Sequence, residues 1–268
     1  MKLLFDADML IYRMCSACQE NSPFNPELVI KACPIETWDV IQQRVKQCVD
    51  LVTAEFDTKV EVVMCLSPSG KTFRYDIFPD YKANRKDTVR PILLGAMNKK
   101  LKEEYHVEEW ANLEADDVLG ILADGENTII CSGDKDLRQI STYHLSLAHP
   151  EFVEWVTPEE GYKFFLKQCI AGDSVDGYRG VGGIGIKKAE KILETEGYDW
   201  ETVVHTYESA MTPKTIKGEK VEPVSQGLTE EDALMTARLA YILQKEEEYN
   251  EQEARVEYWN PSDRNWRL

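Results

Sequence analysis

The sequence of 268 residues lacks long hydrophobic runs, since no apolar stretch approaches the roughly 18 residues that a membrane-spanning helix requires. The segment MKLLFDADML at its start carries two aspartates where a secretory signal would have its apolar core. We therefore expect a cytoplasmic protein. Internal repeats and low-complexity tracts are also absent, and a composition of 43% hydrophobic and 29% charged residues is typical of a soluble globular chain.

The sequence also lacks the paired cysteines of a disulfide framework or of a structural zinc site. Its 7 cysteines are an odd number, scattered from Cys15 to Cys169. Cys15 and Cys18 form a lone C-x-x-C, and no second pair lies at the spacing that zinc would need. We expect packed, reduced thiols.

An excess of basic residues is missing as well: the net charge is −17, which at first argues against a nucleic-acid partner. Charge acts locally, however, because the screening length is only about 8 Å at physiological salt. Residues 71–102 hold nine Lys and Arg against three Asp, and residues 178–191 hold four against one Glu. Two local basic segments therefore keep nucleic acid among the candidate partners.

Apolar segments alternate with helical patterns in the first part of the chain. Residues 2–5, 60–66 and 128–131 are short apolar runs that predict strands. Helical spacing predicts helices over the following segments: 9–14, 36–56, 91–105 and 114–123, with a helix start at 134–140. This alternation favours a parallel α/β sheet, in which ligands bind beyond the carboxyl ends of the strands.

The pattern becomes helical after residue 157. We predict an α/β core over residues 1–157 and a helical region over residues 158–268. Residues 211–228 read as a polar loop, and residues 229–245 as a helix before an acidic end. Whether that acidic end docks a partner or is only solvated stays open.

Four carboxylate clusters lie at predicted strand ends and helix starts. They are FDAD (Asp6, Asp8), EADD (Glu114, Asp116, Asp117), SGDKD (Asp134, Asp136) and GDSVD (Asp173, Asp176). Two carboxylates about 5 Å apart repel by roughly 3 kcal/mol at an effective dielectric constant near 20, so convergence requires cations. Oxygen ligands select Mg²⁺, Mn²⁺ or Ca²⁺, and two such ions can clamp a phosphodiester. The alternative for any one cluster is a helix cap.

The segment GVGGIG, residues 180–185, satisfies G-x-G-x-x-G, but it follows the polar segment GDSVDGYR where a dinucleotide-binding fold requires a strand. A tight glycine turn between two helices fits better. Its backbone N–H groups would hold phosphate, with Lys187 and Lys188 behind them. A plain inter-helix turn is the alternative.

These motifs together resemble the 5′-nuclease superfamily of flap endonucleases and 5′→3′ exonucleases, and most of all the compact phage-encoded 5′→3′ exonucleases. The residues that carry the resemblance are FDADMLIYR, PDYKANRK, EADD, SGDKD and GDSVDGYRGVGGIG, in that order, within residues 2–245. The resemblance implies an α/β core with a central, mainly parallel sheet flanked by helices. It also implies a helical arch at about 82–105 and a helix-two-turn-helix, similar to a helix–hairpin–helix, at about 172–196.

The resemblance further implies cofactors, a substrate and site residues. Two Mg²⁺ ions, replaceable by Mn²⁺, would hydrolyse phosphodiesters near the 5′ ends of DNA or of an RNA–DNA hybrid and leave 5′-phosphates; K⁺ is a candidate ion at the glycine turn. The implied metal ligands are Asp6, Glu114, Asp116, Asp117, Asp134, Asp136, Asp173 and Asp176, and the implied catalytic pair is Lys82 and Arg85. The implied DNA contacts are Tyr12, Arg13, Lys86, Arg179, Gly182, Gly183, Gly185, Lys187 and Lys188.

The family usually places another aspartate after the second strand, where this chain has Ser67 and Pro68. Either water or another carboxylate replaces that ligand, or the alignment shifts and Asp76 compensates; the distance of Asp76 along the chain favours the first. Asp8 is interpreted as a helix cap. We expect a monomeric metal-dependent 5′-nuclease, in the host cytoplasm if phage-encoded. A PIN-like ribonuclease and a catalytically inert DNA-binding protein are the alternatives.

Overall fold

The computed structural model describes residues 1–25, 28–85, 88–216 and 219–262, with the backbone alone for 213–223. Its strands are β1 Lys2–Asp6, β2 Gln19–Asn21, β3 Val29–Ala32, β4 Glu61–Cys65, β5 Val107–Glu108, β6 Thr128–Ser132, β7 Tyr143–Ser146, β8 Val153–Trp155, β9 Gly172–Asp173, β10 Tyr178–Arg179, β11 Met211–Ile216, β12 Glu219–Ser225, β13 Tyr249–Asn250 and β14 Arg255–Val256.

Its α-helices are α1 Ala7–Ala17, α2 Pro34–Phe56, α3 Arg74–Ile77, α4 Leu94–Glu104, α5 Ala115–Leu122, α6 Pro158–Ala171, α7 Ile186–Glu196, α8 Trp200–Glu208 and α9 Glu230–Ala240. Single 3₁₀ turns cover Ala83–Arg85, Gly125–Asn127, Asp136–Gln139 and Glu246–Glu248. None of the helices in the described ranges is both long and apolar enough to cross a membrane.

A six-stranded sheet of order β5-β4-β1-β6-β7-β8 forms the centre of the first compact unit. All pairings are parallel except β7 with β8, as the alternation of strands and helices predicts. Leu3, Leu4 and Phe5 of β1 have no exposed surface, which requires cover on both faces of the sheet. Asp6 lies in register with Cys65 of β4, so the carboxyl ends of the central strands meet at one edge.

The chain divides into two compact units. The first comprises residues 1–72, 87–157 and 242–256, and contains the six-stranded sheet. The second comprises residues 73–86, 158–241 and 257–268. In this second unit α6 packs against α7, α8 and α9, and an aromatic cluster of Phe165, Tyr241 and Trp259 joins α6 to the end of α9.

Three local predictions are wrong. Residues 211–216 and 219–225 form the antiparallel pair β11 and β12 rather than a polar loop, because backbone pairing between the two segments overrides the Pro and Gly content that suggested irregular structure. Helix α9 ends at Ala240, before the predicted end at residue 245. Asp8 does not cap α1: the cap is Asp6, whose Oδ1 accepts a hydrogen bond of 2.9 Å from the Met9 N–H.

We expect the stability of the fold to depend on pH through His144 of β7. Burial lowers the pKa of His144 below its ordinary value of 6.5, and Arg138 acts in the same direction, although a 2.9 Å contact between Nε2 and the Ile140 carbonyl oxygen opposes the shift. The unfolded chain therefore binds a proton at higher pH than the folded protein, and stability falls as the pH drops below about 6.5.

Thermal melts between about pH 8 and about pH 5 should show a smaller acid loss for His144→Gln, which cannot titrate, than for the parent protein. Glutamine retains a donor for the Ile140 carbonyl oxygen. Parallel melting curves over this range would contradict the assignment.

Candidate active site and nucleic-acid interface

Asp6 ends β1 at the carboxyl edge of the sheet and is only 4% exposed. Burial raises its pKa to about 6, with further contributions from the charges of Asp8 and Asp134, although hydrogen bonds from Ser132 and Met9 oppose the shift. Carboxylates repel one another here, and a cation would relieve that repulsion. The donor set is therefore suited to a hard divalent ion.

The loop after β6 is tied to Asp6 through Ser132. The Ser132 hydroxyl donates a 2.6 Å hydrogen bond to Asp6 Oδ2 and accepts one of 3.0 Å from the Asp134 N–H. The Asp136 N–H in turn donates to Asp134 Oδ1 at 2.9 Å. The structure thus brings the FDAD and SGDKD motifs together, as expected from neighbouring parallel strands.

The EADD motif begins α5. Glu114 is its N-cap, and a capping box joins Glu114 to Asp117. Asp117 is fully buried, with Oδ2 accepting from the Glu114 N–H at 3.1 Å and Oδ1 from the Leu243 N–H at 3.3 Å. These bonds give Asp117 a structural role, and a metal-binding role for it stays a prediction. Asp116 is half-buried. Burial raises the pKa of the Cys65 thiol, and the nearby charges of Asp6, Glu108, Asp116 and Asp8 raise it further.

Ser67 connects three elements at the end of β4. Its N–H donates to Asp8 Oδ2 at 3.0 Å, and its Oγ accepts from the Ala115 N–H at 2.9 Å. Asp8 therefore lies at the end of β4, beside the position that Ser67 occupies. Asp76 belongs to α3 in the second unit and is exposed. Asp6, Asp8, Asp116 and Asp134 are together called the acidic edge.

In the described part of the chain, no three His, Cys, Asp or Glu side chains converge tightly enough to hold an ion between them. Asp6, Asp8 and Asp134 are nevertheless close enough for their charges to shift the pKa of Asp6. The residues therefore fit a divalent ion by donor chemistry and by mutual repulsion.

In the second unit, Asp173 and Asp176 shape one turn. Asp173 is 7% exposed, and its Oδ1 accepts from the Val175 and Asp176 N–H groups at 2.6 and 3.3 Å. Asp176 Oδ2 accepts from the Tyr81 hydroxyl at 2.8 Å. Both aspartates thus have local structural contacts, and their predicted metal binding stays untested.

The YKANR segment is fastened to the same turn. Lys82 Nζ lies 3.7 Å from Asp176 Oδ2, and Arg85 forms an ion pair with Asp176 Oδ1. The Asn84 side chain donates to the Ser174 and Val175 carbonyl oxygens at 3.1 Å each. Lys82 has the left-handed backbone value φ = 54°, which is uncommon for a residue other than glycine and recurs at functional sites. The structure therefore brings the predicted basic pair together around one carboxylate.

The glycine turn, residues 180–185, joins the β9–β10 ladder to α7. The Ile184 N–H donates to the Val181 carbonyl at 3.1 Å, and Gly183 has φ = 80°, as the third position of a type II turn requires. Lys188 Nζ donates to the Gly183 carbonyl at 2.8 Å. Arg179, Gly182, Gly185 and Lys187 are exposed on this element. The predicted tight glycine turn is present, but it follows a short strand rather than a helix, and its phosphate binding stays a prediction.

Tyr12 and Arg13 on α1 line a cavity of about 460 Å³ in the first unit, together with Ser16, Arg44 and Ala148. Arg44 is held by the Leu147 and Ala148 carbonyl oxygens, which accept from its Nη1 at 2.7 and 2.9 Å. Neither arginine pairs with a carboxylate among the described residues. The cavity is therefore positively charged.

Arg44 was not predicted as a functional residue, because a single arginine in a helical pattern indicates a solvated face. Lys86, predicted as a DNA contact, lies outside the described residues.

Comparisons with known proteins identify the family of this chain. Residues 1–165 match the 5′–3′ exonuclease N-terminal resolvase-like domain. The exodeoxyribonuclease of Enterobacteria phage T3 is 23% identical over 97% of this chain and 92% of its own length. The 5′–3′ exonuclease of Bacillus subtilis (strain 168) is 32% identical over 72% of this chain and 69% of its own length.

Among solved structures, the D15 flap endonuclease of bacteriophage T5, in a complex with DNA and metal ions, shares the fold. Its TM-score is 0.57 at 18% identity, over 89% of this chain and 88% of that one. The matched domain spans more than half of the sequence and contains the acidic edge. The chain belongs to the 5′–3′ exonuclease family.

Proposed function

We propose that this enzyme of the 5′–3′ exonuclease family uses divalent ions at the acidic edge to hydrolyse phosphodiester bonds near the 5′ ends of DNA. The observation that carries the proposal is the linkage of Asp6, Asp8 and Asp134 at neighbouring strand ends, with the pKa of Asp6 raised to about 6. The phage T5 enzyme that shares the fold is bound to DNA and metal ions, which supports both partners.

The side chains of the first unit that would hold the ions are Asp6, Glu114, Asp116, Asp134 and Asp136. Two Mg²⁺ ions, or Mn²⁺ in their place, would supply an activated water and stabilise the leaving 3′ oxygen. Asp6 must be deprotonated to bind a cation, so its raised pKa makes ion binding weaken at acid pH. The roles of Asp117, Asp173 and Asp176 as ligands, and K⁺ at the glycine turn, belong to the same proposal.

Asp8 supplies the carboxylate that Ser67 and Pro68 do not provide. Its Oδ2 already lies 3.0 Å from the Ser67 N atom, so it occupies the end of β4 without any shift of the strand. This position favours Asp8 over Asp76 as the carboxylate that replaces the missing ligand.

Lys82 and Arg85 neutralise charge on the phosphate under attack, because cationic donors stabilise the transition state more than the ground state. Asp176 holds both in place before substrate arrives. The nucleic acid is bound by the glycine turn and by six further side chains: Tyr12, Arg13, Lys86, Arg179, Lys187 and Lys188. The predicted arch accepts its 5′ single strand. The protein acts as a cytoplasmic monomer on DNA, with an RNA–DNA hybrid as an alternative substrate.

A panel of labelled substrates tests the proposal: a 5′ flap, a nicked duplex, a blunt duplex, a circular single strand and an RNA–DNA hybrid. Cutting near 5′ ends that leaves 5′-phosphates, with the circle intact, is expected. Cutting of the circle or removal of nucleotides from 3′ ends would overturn it. Tight DNA binding without cleavage in Mg²⁺ or Mn²⁺ would indicate the inert DNA-binding alternative.

We expect Arg44 to contact a DNA phosphate in the cavity that it shares with Tyr12 and Arg13. Arg44→Gln should weaken DNA binding by about 3- to 10-fold and reduce the slope of log Kd against log salt by about one. Filter binding over a salt series in Ca²⁺ checks both quantities. Arg255→Gln, which removes an exposed arginine paired with Glu253, is the matched control and should leave the slope unchanged. An unchanged slope in Arg44→Gln, at unchanged Tm, would contradict the contact.

A further inference from the structure

Gln226 stands at the foot of the β11–β12 hairpin, immediately after β12. Its N–H donates a 2.9 Å hydrogen bond to the Ala210 carbonyl, which closes the base of the hairpin and fixes the position of the residue. Its side-chain amide lies 3.4 Å from the Met211 carbonyl oxygen of β11 and also reaches the glycine turn. The side-chain amide donates to the Gly182 carbonyl at 3.0 Å, and its oxygen accepts from the Gly182 N–H, also at 3.0 Å.

Both peptide groups of Gly182 are thus paired with one side chain, in the manner of a bridge between antiparallel strands. A carboxamide is suited to this pairing at neutral pH, since it carries a donor and an acceptor side by side. A Cβ atom at Gly182 would lie 2.7 Å from Gln226 Oε1, so glycine at this position is what admits the contact. Gly182 is the second residue of the type II turn, directly before Gly183 with φ = 80°.

The N–H groups of Gly183 and Gly185, in the same turn, are not paired in this way. Among the described residues, the N–H groups of Gly183 and Gly185 donate to no protein acceptor, and both glycines are exposed. We propose that Gln226 is a positioning residue that holds the apex of the glycine turn so that these N–H groups bind one phosphate of the nucleic-acid backbone. The inference rests on the proposed function and adds a residue that contacts no substrate itself.

The fold does not depend on this contact. The base of the glycine turn is fixed by the Val181 N–H, which donates to the Ile170 carbonyl at 2.8 Å. It is also fixed by the close approach of Gly180 to the backbone of Ile170 and Ala171, where a Cβ atom would lie 2.1 Å from the Ile170 oxygen. Loss of the Gln226 side chain should therefore loosen the apex of the turn and leave the helices packed.

Gln226→Met tests the inference, because methionine has similar length and no hydrogen-bonding amide. Dissociation constants for a 5′-flap duplex in Ca²⁺ should rise about 3- to 10-fold, as loss of two neutral hydrogen bonds that order a binding loop predicts. The kcat at saturating DNA in Mg²⁺ should stay within about 2-fold of the parent value, which places the effect in binding. Amide hydrogen exchange at Gly182 should become faster.

Gln47→Met is the matched control: Gln47 is exposed on α2, and no hydrogen bond involves its side chain among the described residues. It should change neither affinity nor exchange. If the parent cuts DNA and Gln226→Met has unchanged affinity and unchanged exchange at Gly182, the inference is wrong while the proposed function stands. If the parent neither binds nor cuts DNA, the proposed function itself fails. A fall in kcat with unchanged affinity would also contradict a positioning role in phosphate binding.

Discussion

Asp6→Asn is expected to lower the single-turnover rate in Mg²⁺ by about 1000-fold, equivalent to about 4 kcal/mol of transition-state stabilisation. Asp6 lies at the centre of the acidic edge, where Ser132 and Met9 orient its two oxygens. Asparagine caps a helix as well as aspartate does, so α1 should keep its N-terminus. The loss should therefore come from ion binding, and the fold should survive.

Melting temperatures distinguish a loss of ion binding from a loss of the fold. Because the folded-state pKa of Asp6 is raised above its ordinary value of 3.8, the charged carboxylate costs stability above about pH 6 in the absence of metal. In EDTA at neutral pH, Asp6→Asn should melt at the same temperature as the parent or higher. Added Mg²⁺ or Mn²⁺ should stabilise the parent by mass action and the variant much less.

Asp39→Asn is the matched control, since Asp39 is an exposed acid on α2 without a polar partner among the described residues. It should retain parental rate and metal-induced stabilisation. An Asp6→Asn protein that cuts at the parental rate would show that the ions bind elsewhere or are not needed. A variant that melts far lower in EDTA would instead assign Asp6 a mainly structural role.

Lys82→Ala is expected to lower kcat by about 100-fold, within the range for removal of one preorganised donor from a developing anion. Lys82 is held in a left-handed backbone conformation beside Asp176, with its ammonium also 4.9 Å from the Tyr81 ring centroid. This preorganisation means that little reorganisation is needed when the phosphate arrives. Rapid-quench kinetics at saturating DNA measures the effect.

Metal-induced stabilisation should be unchanged in Lys82→Ala, which distinguishes loss of phosphate neutralisation from loss of ions. Lys59→Ala removes an exposed lysine from the first unit and serves as the control. If Lys82→Ala only raised the dissociation constant for DNA and left kcat unchanged, Lys82 would bind the ground state and the transition state equally, against the proposed role.

The acidic edge was predictable in part because parallel strands end together. Asp6 and Asp134 follow apolar runs, and topology alone places both at the same edge of the sheet. The position of Asp8 was not predictable, since the spacing in FDAD suits a helix cap equally well. The hydrogen bond from the Ser67 N–H to Asp8 Oδ2 depends on the packing of α1 against the end of β4, which the local sequence does not reveal.

The contacts of the second unit lay beyond the sequence pattern for a different reason. Gln226 and Gly182 are 44 residues apart and belong to segments that each read as irregular. Asp176 was recognised as an acid of a metal-binding motif, but its pairing with Lys82 and Arg85 depends on a contact across more than 90 positions. Such contacts follow from packing and leave no local periodicity in the sequence.

The most direct test of the central claim uses a duplex with a 5′ single-stranded flap, labelled separately at each end, with Mg²⁺, Mn²⁺ or EDTA. Asp136→Ala runs alongside the parent protein. We expect cutting inward from the 5′ end or near the flap junction in either metal, none in EDTA, and loss of cutting in Asp136→Ala. Cutting that persists in EDTA, or at the parental rate in Asp136→Ala, would contradict the account.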